Sequence, residues 1–159
     1  MKLVRGDVYV KMRKNRCLCL VSDPKSLITN VLLDILNING ESVDIPELDK
    51  HGKVGSALTI QCKKNEFCFL ICQYLSGPPR AYDTEKERLE LFKKTFDYLE
   101  KITSNKIVVP YYIGSYDKEG WIKRKEIMAN FEQRTKKQIL IFVSDEDIEK
   151  YGKKNPSKN

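Results

Sequence analysis

The sequence predicts one α/β domain of three layers, in which helices cover both faces of a mixed central sheet. Short apolar runs with the length of strands alternate with segments in which apolar residues recur at helical spacing. Two of the runs are separated by a turn too short for a parallel crossover, which predicts an antiparallel pair within the sheet. A chain of 159 residues can bury one ordinary core and requires no second domain.

The N-terminal half predicts two strands, a helix and a hairpin. Ser22-Asp23-Pro24 combines a helix cap with proline at the first helical position, and apolar residues at helical spacing follow it. Apolar and polar residues alternate on one side of the Lys63–Glu66 turn, and a continuous apolar run follows on the other. The predicted elements are a strand around Gly6, a strand over 17–21, a helix over 24–37, and hairpin strands over 57–62 and 67–72.

The C-terminal half begins with the strongest helix signal of the chain. Thr84 and Glu87 form a capping box, and apolar residues from Leu89 to Ile102 mark one helical face. The later predicted elements are a strand over 107–109, a helix that starts near Trp121, a strand over 138–143 and a short helix from Asp145 to Tyr151. We therefore predict one domain over residues 1–144, followed over 145–159 by this helix and a basic, disordered tail.

Composition narrows the function classes. The net charge of +7 attracts polyanions without identifying one, and scattered lysine pairs are also typical of an ordinary solvated surface. Neither a membrane-length apolar run nor a signal-peptide core is present, so we expect an intracellular protein, cytoplasmic or nuclear, without membrane contact. Five cysteines inside apolar runs and a single histidine favour packed, reduced thiols, and we expect no metal and no cofactor.

The segment from Pro110 to Trp121 is the first candidate for a ligand site. A glycine-bearing loop there joins the end of a predicted strand to the start of a predicted helix. Free backbone N–H groups and the helix dipole both favour an anion at such a junction. The segment therefore predicts a site for a phosphate-bearing ligand.

The same segment, Val109-Pro110-Tyr111-Tyr112-Ile113-Gly114 followed by Gly120-Trp121, a helix and an apolar strand, resembles the C-terminal part of macro domains, which bind ADP-ribose. The likeness extends back to Arg5-Gly6-Asp7-Val8, and to Gly55-Ser56-Ala57-Leu58 before the hairpin. Within that family the pattern is most similar to the terminal ADP-ribose glutamate hydrolases. The resemblance covers about residues 3 to 143 and implies a macro-domain-like three-layer fold.

The resemblance also implies roles for individual residues. Asp7 matches the aspartate that contacts the adenine amino group, and the loop of Ile113, Gly114, Ser115 and Tyr116 matches the one around the diphosphate and distal ribose. Asp117 matches a catalytic aspartate of the hydrolase branch. For Trp121 and Cys72 we expect packing in the core.

Two departures from the family pattern bear on activity. The hydrolase branch has a nucleophilic lysine where this chain has Gln73-Tyr74, and neither an amide nor a phenol forms an imine-type adduct. The glycine-rich start of the first helix is replaced by Ser26–Val31, whose side chains would crowd a diphosphate.

Three functions follow as alternatives. The first is a reader that binds ADP-ribose or an ADP-ribosylated protein without turnover. The second is an ADP-ribosyl hydrolase that uses Asp117 without the lysine. The third is a degenerate macro fold that contacts protein, or nucleic acid through its basic surface, without binding a nucleotide.

Overall fold

The computed structural model describes residues 1–8, 13–24, 34, 36–37, 40, 53–62 and 64–152. Within these ranges six strands and three continuous helices are present, besides the helical residues Asp34, Leu36 and Asn37. They are β1 (Lys2–Arg5), β2 (Arg16–Ser22), β3 (Ala57–Gln61), β4 (Glu66–Ile71), α1 (Glu85–Leu99), β5 (Lys106–Pro110), α2 (Lys118–Thr135), β6 (Gln138–Val143) and α3 (Asp145–Gly152).

The six strands form one mixed sheet in the order β1-β6-β5-β2-β4-β3. The five strands from β1 to β4 in that order run parallel, and β3 pairs antiparallel with β4 at one edge. The predicted hairpin is confirmed, with Ala57 opposite Leu70 and Gln61 opposite Glu66. The C-terminal ends of five strands therefore meet at one edge of the sheet, which is where α/β folds bind ligands.

Helix α1 begins and packs as its sequence predicts. The Thr84 hydroxyl accepts a hydrogen bond from the Glu87 amide at 3.2 Å and donates one to Oε1 of Glu87 at 3.1 Å. Phe92, Phe96 and Leu99 are buried, and Ile102 joins the same core just after the helix ends. The helix contributes two large aromatic side chains, Phe92 and Phe96, to this layer.

Two apolar clusters occupy the two faces of the sheet. On one face α1 and α2 pack on inward-facing residues of the strands, with Phe96 against Phe131 at 5.1 Å between ring centroids. On the other face Leu36, which lies in a helical stretch, packs with strand residues such as Phe69 and Leu140. The predicted α/β architecture with a mixed central sheet is confirmed.

The first predicted strand is shorter than expected, and two other predicted segments lie mostly or wholly outside the described residues. β1 ends at Arg5 and does not continue as a strand through Gly6, although the Gly6 amide still donates to the Val143 carbonyl at 3.0 Å. The predicted helix over 24–37 lies mostly outside the described residues, although Asp34, Leu36 and Asn37 are helical. The tail after 152 lies outside them as well.

The cysteines are free thiols, and four of the five are buried, as the sequence predicts; Cys62 is half-buried. In the described part of the chain, no helix has both the length and the apolar character needed to cross a bilayer.

Candidate functional site

The C-terminal edge of the parallel strands gathers the residues from which a site can be built. Gly6 and Asp7 follow β1, Asp23 follows β2, Gln73 lies two residues beyond β4, and Ser144 follows β6. The loop from Tyr111 to Asp117 follows β5 in the middle of this row. The predicted ligand residues Ile113, Gly114, Ser115 and Tyr116 therefore lie together in a single loop.

Two tight turns shape the loop after β5. The Ile113 amide donates to the Pro110 carbonyl at 3.2 Å, and the Ser115 amide donates to the Tyr112 carbonyl at 2.9 Å. Tyr112 and Gly114 both have left-handed backbone angles, with φ of 60° and 66°. Among the described residues no acceptor faces the amides of Gly114 and Tyr116, so these donors are available to an anion.

Gly114 is required by the space around it as well as by its backbone angle. A Cβ at this position would lie 3.1 Å from Cγ2 of Val21 and 3.3 Å from Nε of Arg124. The loop therefore packs directly on Val21 of β2 and on the Arg124 side chain of α2. Because a side chain would disturb both contacts, Gly114 fixes the height of the loop above the sheet.

Asp117 lies at the end of the loop and caps α2. Its Oδ1 accepts a hydrogen bond from the Gly120 amide at 2.7 Å. The first amides of a helix have no acceptor within the helix, and here the Asp117 carboxylate provides one for the Gly120 amide. The helix therefore begins at Lys118 and not near Trp121. The cap does not engage the second carboxylate oxygen, Oδ2. The catalytic role of Asp117 stays a prediction.

Arg124 supports the loop from inside the fold. Its side chain is 1% exposed, and its two terminal nitrogens donate to the two carboxylate oxygens of Glu85 at 2.8 Å each. Its Nε lies against Gly114 and has no acceptor within the described residues. This bidentate pair joins α1 to α2 directly beneath the glycine of the loop.

Arg88 organises the segment that follows β4. Buried at 1% exposure, it donates to Asp83 at 2.6 Å and to the Gly77 carbonyl at 2.8 Å. Burial alone would raise the pKa of the Asp83 carboxyl, but hydrogen bonds from Arg88 and the Leu75 amide, with the charge of Arg88, hold it below its usual range. The guanidinium also lies 5.8 Å from the ring centroid of Tyr116.

Gln73 and Tyr74, which the sequence resemblance matches to the lysine position of the hydrolase branch, lie just beyond β4. The Gln73 side chain is buried, and its amide nitrogen donates to the Leu75 carbonyl at 3.0 Å. The neighbouring Tyr74 is 49% exposed. Burial raises the pKa of the adjacent Cys72 thiol to about 12, although Arg124 and Arg88 oppose this, so it is a poor nucleophile at neutral pH.

Aromatic side chains behave in two ways at this edge. Trp121 is 2% exposed and is the core anchor that the sequence predicts, with Tyr111 and Tyr112 packed on it at 5.2 and 5.4 Å between centroids. Tyr151 of α3 stacks on Tyr112 at 3.9 Å. Tyr116 differs from these rings, since it is 54% exposed and available to a ligand.

Asp7 lies apart from the loop. The sheet order places β6 between β1 and β5, so their ends are about 10 Å apart at a strand spacing of about 4.8 Å. Asp7 is half-buried and lines a cavity of about 400 Å³ with Gly6, Ser144 and Asp145. The predicted site residues thus form two groups, one at β1 and one after β5, separated by a distance that an extended ligand can bridge.

Solved structures of low sequence identity share this fold. No family model and no curated protein sequence matches the chain. The macrodomain of Thermus aquaticus DarG is 10% identical with a TM-score of 0.60, over 89% of this chain and 96% of that one. A mutant of the Oceanobacillus iheyensis macrodomain is 13% identical with a TM-score of 0.56, over 98% of this chain and 87% of that one.

An alphavirus structure, described as P23pro-zbd, is 11% identical with a TM-score of 0.63. It matches 99% of this chain, but the chain spans only 23% of its length. At these identities the comparisons show the fold alone. The chain therefore has a macrodomain-like fold, and its ligand must be argued from its own residues.

Proposed function

We propose that the chain binds an ADP-ribose-type nucleotide at the C-terminal edge of the sheet and acts as a reader of ADP-ribosylated molecules. The loop from Ile113 to Asp117 is the observation that carries this proposal. The amides of Gly114 and Tyr116 have no acceptor among the described residues, and they lie next to the N-terminus of an 18-residue helix. This arrangement suits a diphosphate. The macrodomain-like fold and the net charge of +7 support the same ligand class.

The two groups of site residues divide the nucleotide between them in this proposal. Ile113, Gly114, Ser115 and Tyr116 surround the diphosphate and the distal ribose. Asp7, about 10 Å away across β6, accepts a hydrogen bond from the adenine amino group. The exposed Tyr116 ring packs on the distal ribose.

Binding without turnover is favoured because the residue at the lysine position is already engaged. The Gln73 amide donates to the Leu75 carbonyl and has no nucleophilic atom. Asp117 remains a candidate for hydrolysis by another route, and the capping hydrogen bond occupies only its Oδ1. We therefore place the reader function first and the hydrolase second.

Calorimetric titration of free ADP-ribose tests the nucleotide site. Substitution of Gly114 is a poor control, because a Cβ there would disturb Val21 and Arg124 whatever the ligand does. Ser115→Glu is better, since it places a carboxylate in the loop at a half-buried position. Asn130→Glu, on an exposed turn of α2, makes the same change of net charge far from the loop.

We expect ADP-ribose to bind the wild type and Asn130→Glu equally, and to bind Ser115→Glu at least a hundredfold more weakly. A carboxylate about 4 Å from a phosphate costs several kcal/mol at an effective dielectric constant of about 20. Equal affinities for all three proteins would remove the loop from the site, and no binding to the wild type would refute the nucleotide function.

A chromatographic assay for ADP-ribose released from a glutamate-ADP-ribosylated peptide separates reader from hydrolase. A reader releases none. Release that is lost in Asp117→Asn, a variant that keeps a capping oxygen, would establish the hydrolase instead.

A further inference from the structure

A second candidate site lies at the opposite end of the sheet from the nucleotide loop. Two adjoining cavities of about 510 and 570 Å³ share Arg13, Arg16 and Lys106 as lining residues. The first extends along the 103–106 segment, and the second crosses the face of the sheet from β2 towards β1. We refer to the two cavities together as the basic groove.

The charged residues that the structure describes in the basic groove all have the same sign. The cations are Lys2, Arg5, Arg13, Lys14, Arg16 and Lys106, and none of the described lining residues of either cavity is acidic. Arg5 is paired with Asp145, whereas no ion pair within the described residues involves the other five. The groove therefore concentrates most of its positive charge without internal compensation.

Like charges are brought together at the centre of this groove. Arg16 and Lys106 are the first residues of neighbouring parallel strands and are direct partners in the register. Such a pair of like charges directly opposite one another is destabilising. Burial and the nearby charge of Arg13 both lower the pKa of Arg16, so a third cation of the groove also repels it.

The carboxylate of the adjoining strand does not relieve this repulsion. Glu66 is the register partner of Cys17, so its side chain lies on the opposite face of the sheet from Arg16. Its Oε1 accepts from the Ser104 amide at 2.9 Å and from Thr103 at 3.0 Å, and its Oε2 accepts from Gln61 at 2.9 Å. Among the described residues the groove therefore has no counter-charge apart from Asp145 at Arg5, and an external anion would supply one.

We propose that the basic groove binds the phosphate backbone of a single-stranded nucleic acid. The groove crosses β1, β6, β5 and β2, a span of about 14 Å at about 4.8 Å per strand, and extends further along the 103–106 segment; five cations without an ion pair among the described residues can neutralise about four phosphates. The lining is recessed into the sheet face, which suits one strand better than a duplex. The centre of the groove at Arg13, Arg16 and Lys106 is separate from the nucleotide loop, and only its far end, at Arg5 and Gly6, adjoins the cavity that Asp7 lines.

Fluorescence anisotropy with a labelled 20-nucleotide single-stranded RNA, its DNA counterpart and a 20-base-pair duplex tests the proposal. With about four phosphates neutralised, log K for a single strand should fall with log[NaCl] with a slope of about −2.8. The variant Arg13→Gln/Lys106→Gln removes two exposed groove charges, and Lys86→Gln/Lys101→Gln removes two exposed charges elsewhere.

We expect the groove variant to bind a single strand about 25-fold more weakly at 0.1 M NaCl, with a slope reduced by about 1.4, and the control variant to bind within about twofold of wild type. We also expect 1 mM ADP-ribose to leave the affinity unchanged, which separates this test from that of the nucleotide site. Equal losses in both variants, tighter binding of the duplex, or competition by ADP-ribose would each overturn the proposal.

The single variant Lys106→Gln gives a readout that does not require the ligand. Removing Lys106 relieves its repulsion from Arg16, so the melting temperature of Lys106→Gln should equal or exceed that of the wild type. A lower melting temperature would contradict the uncompensated repulsion on which the proposal rests.

Discussion

Asp117 has a measurable structural role that any test of catalysis must separate from chemistry. In Asp117→Ala the 2.7 Å hydrogen bond to the Gly120 amide is lost, and so is a negative charge at the start of α2. Loss of an N-cap costs about 1 kcal/mol, and loss of the favourable interaction with the helix dipole costs about 0.3–1 kcal/mol. We therefore expect Asp117→Ala to lower the free energy of unfolding by about 1.5 kcal/mol.

Asp117→Asn is the matched variant, because asparagine is an equally good cap without the charge. We expect it to lose only the dipole contribution, about 0.5 kcal/mol. Urea denaturation followed by circular dichroism measures both variants. For a domain of this size a difference of about 1 kcal/mol also shifts the melting temperature by about 2–4 °C.

Equal stabilities of the alanine and asparagine variants would refute the capping argument. If the argument holds, reduced activity of Asp117→Ala alone carries no information about catalysis, because the start of α2 and the adjoining loop are altered together. Reduced activity of Asp117→Asn with near-normal stability would point to the charge itself.

Three further predictions concern residues around the site. Gly114→Ala should lower the free energy of unfolding by at least about 1 kcal/mol in urea denaturation, because φ is 66° and space for a Cβ is lacking; an unchanged value would contradict the close packing. Asp83→Asn should lower the free energy of unfolding by about 3 kcal/mol at pH 7, because the buried Arg88 then loses its charged partner. The folded pKa of Asp83 lies below the unfolded value of about 3.9, so this stabilisation is complete above about pH 4, and the gap between variant and wild type should narrow as the pH falls through the folded pKa. With a pKa of about 12, native Cys72 should react with iodoacetamide far more slowly at pH 8 than the half-buried Cys62, as peptide mass spectrometry can measure; comparable rates would show that the thiol is accessible.

Local signals in the sequence account for most of the fold. The alternation before the Lys63–Glu66 turn predicts the hairpin, and the capping box at Thr84 predicts α1, because both depend on residues close together in the chain. Helix α2 begins at Lys118, three residues before the start that the sequence predicts near Trp121. Gly120 reads as a helix breaker, whereas in the structure its amide is the group that Asp117 caps.

The buried arginines illustrate what the sequence does not reveal by itself. Arg88 precedes Phe92 by four residues, and Arg124 precedes Met128 by four, so both cations lie on the apolar faces of their helices. That position is a signal that each needs an acidic partner. The partners could not be assigned, because Glu85 is 39 residues away from Arg124 and is brought to it only by the packing of α1 on α2.

The contact between Gly114 and Arg124 restricts how the loop can change during evolution. A larger residue at 114 requires Arg124 to move, and a displaced Arg124 leaves Glu85 without its partner. If the proposed function holds, we therefore expect single substitutions that alter ligand preference at Ser115 and at the exposed Tyr116 rather than at Gly114. A directed library at those two positions would explore new specificity while it retains the support beneath the loop.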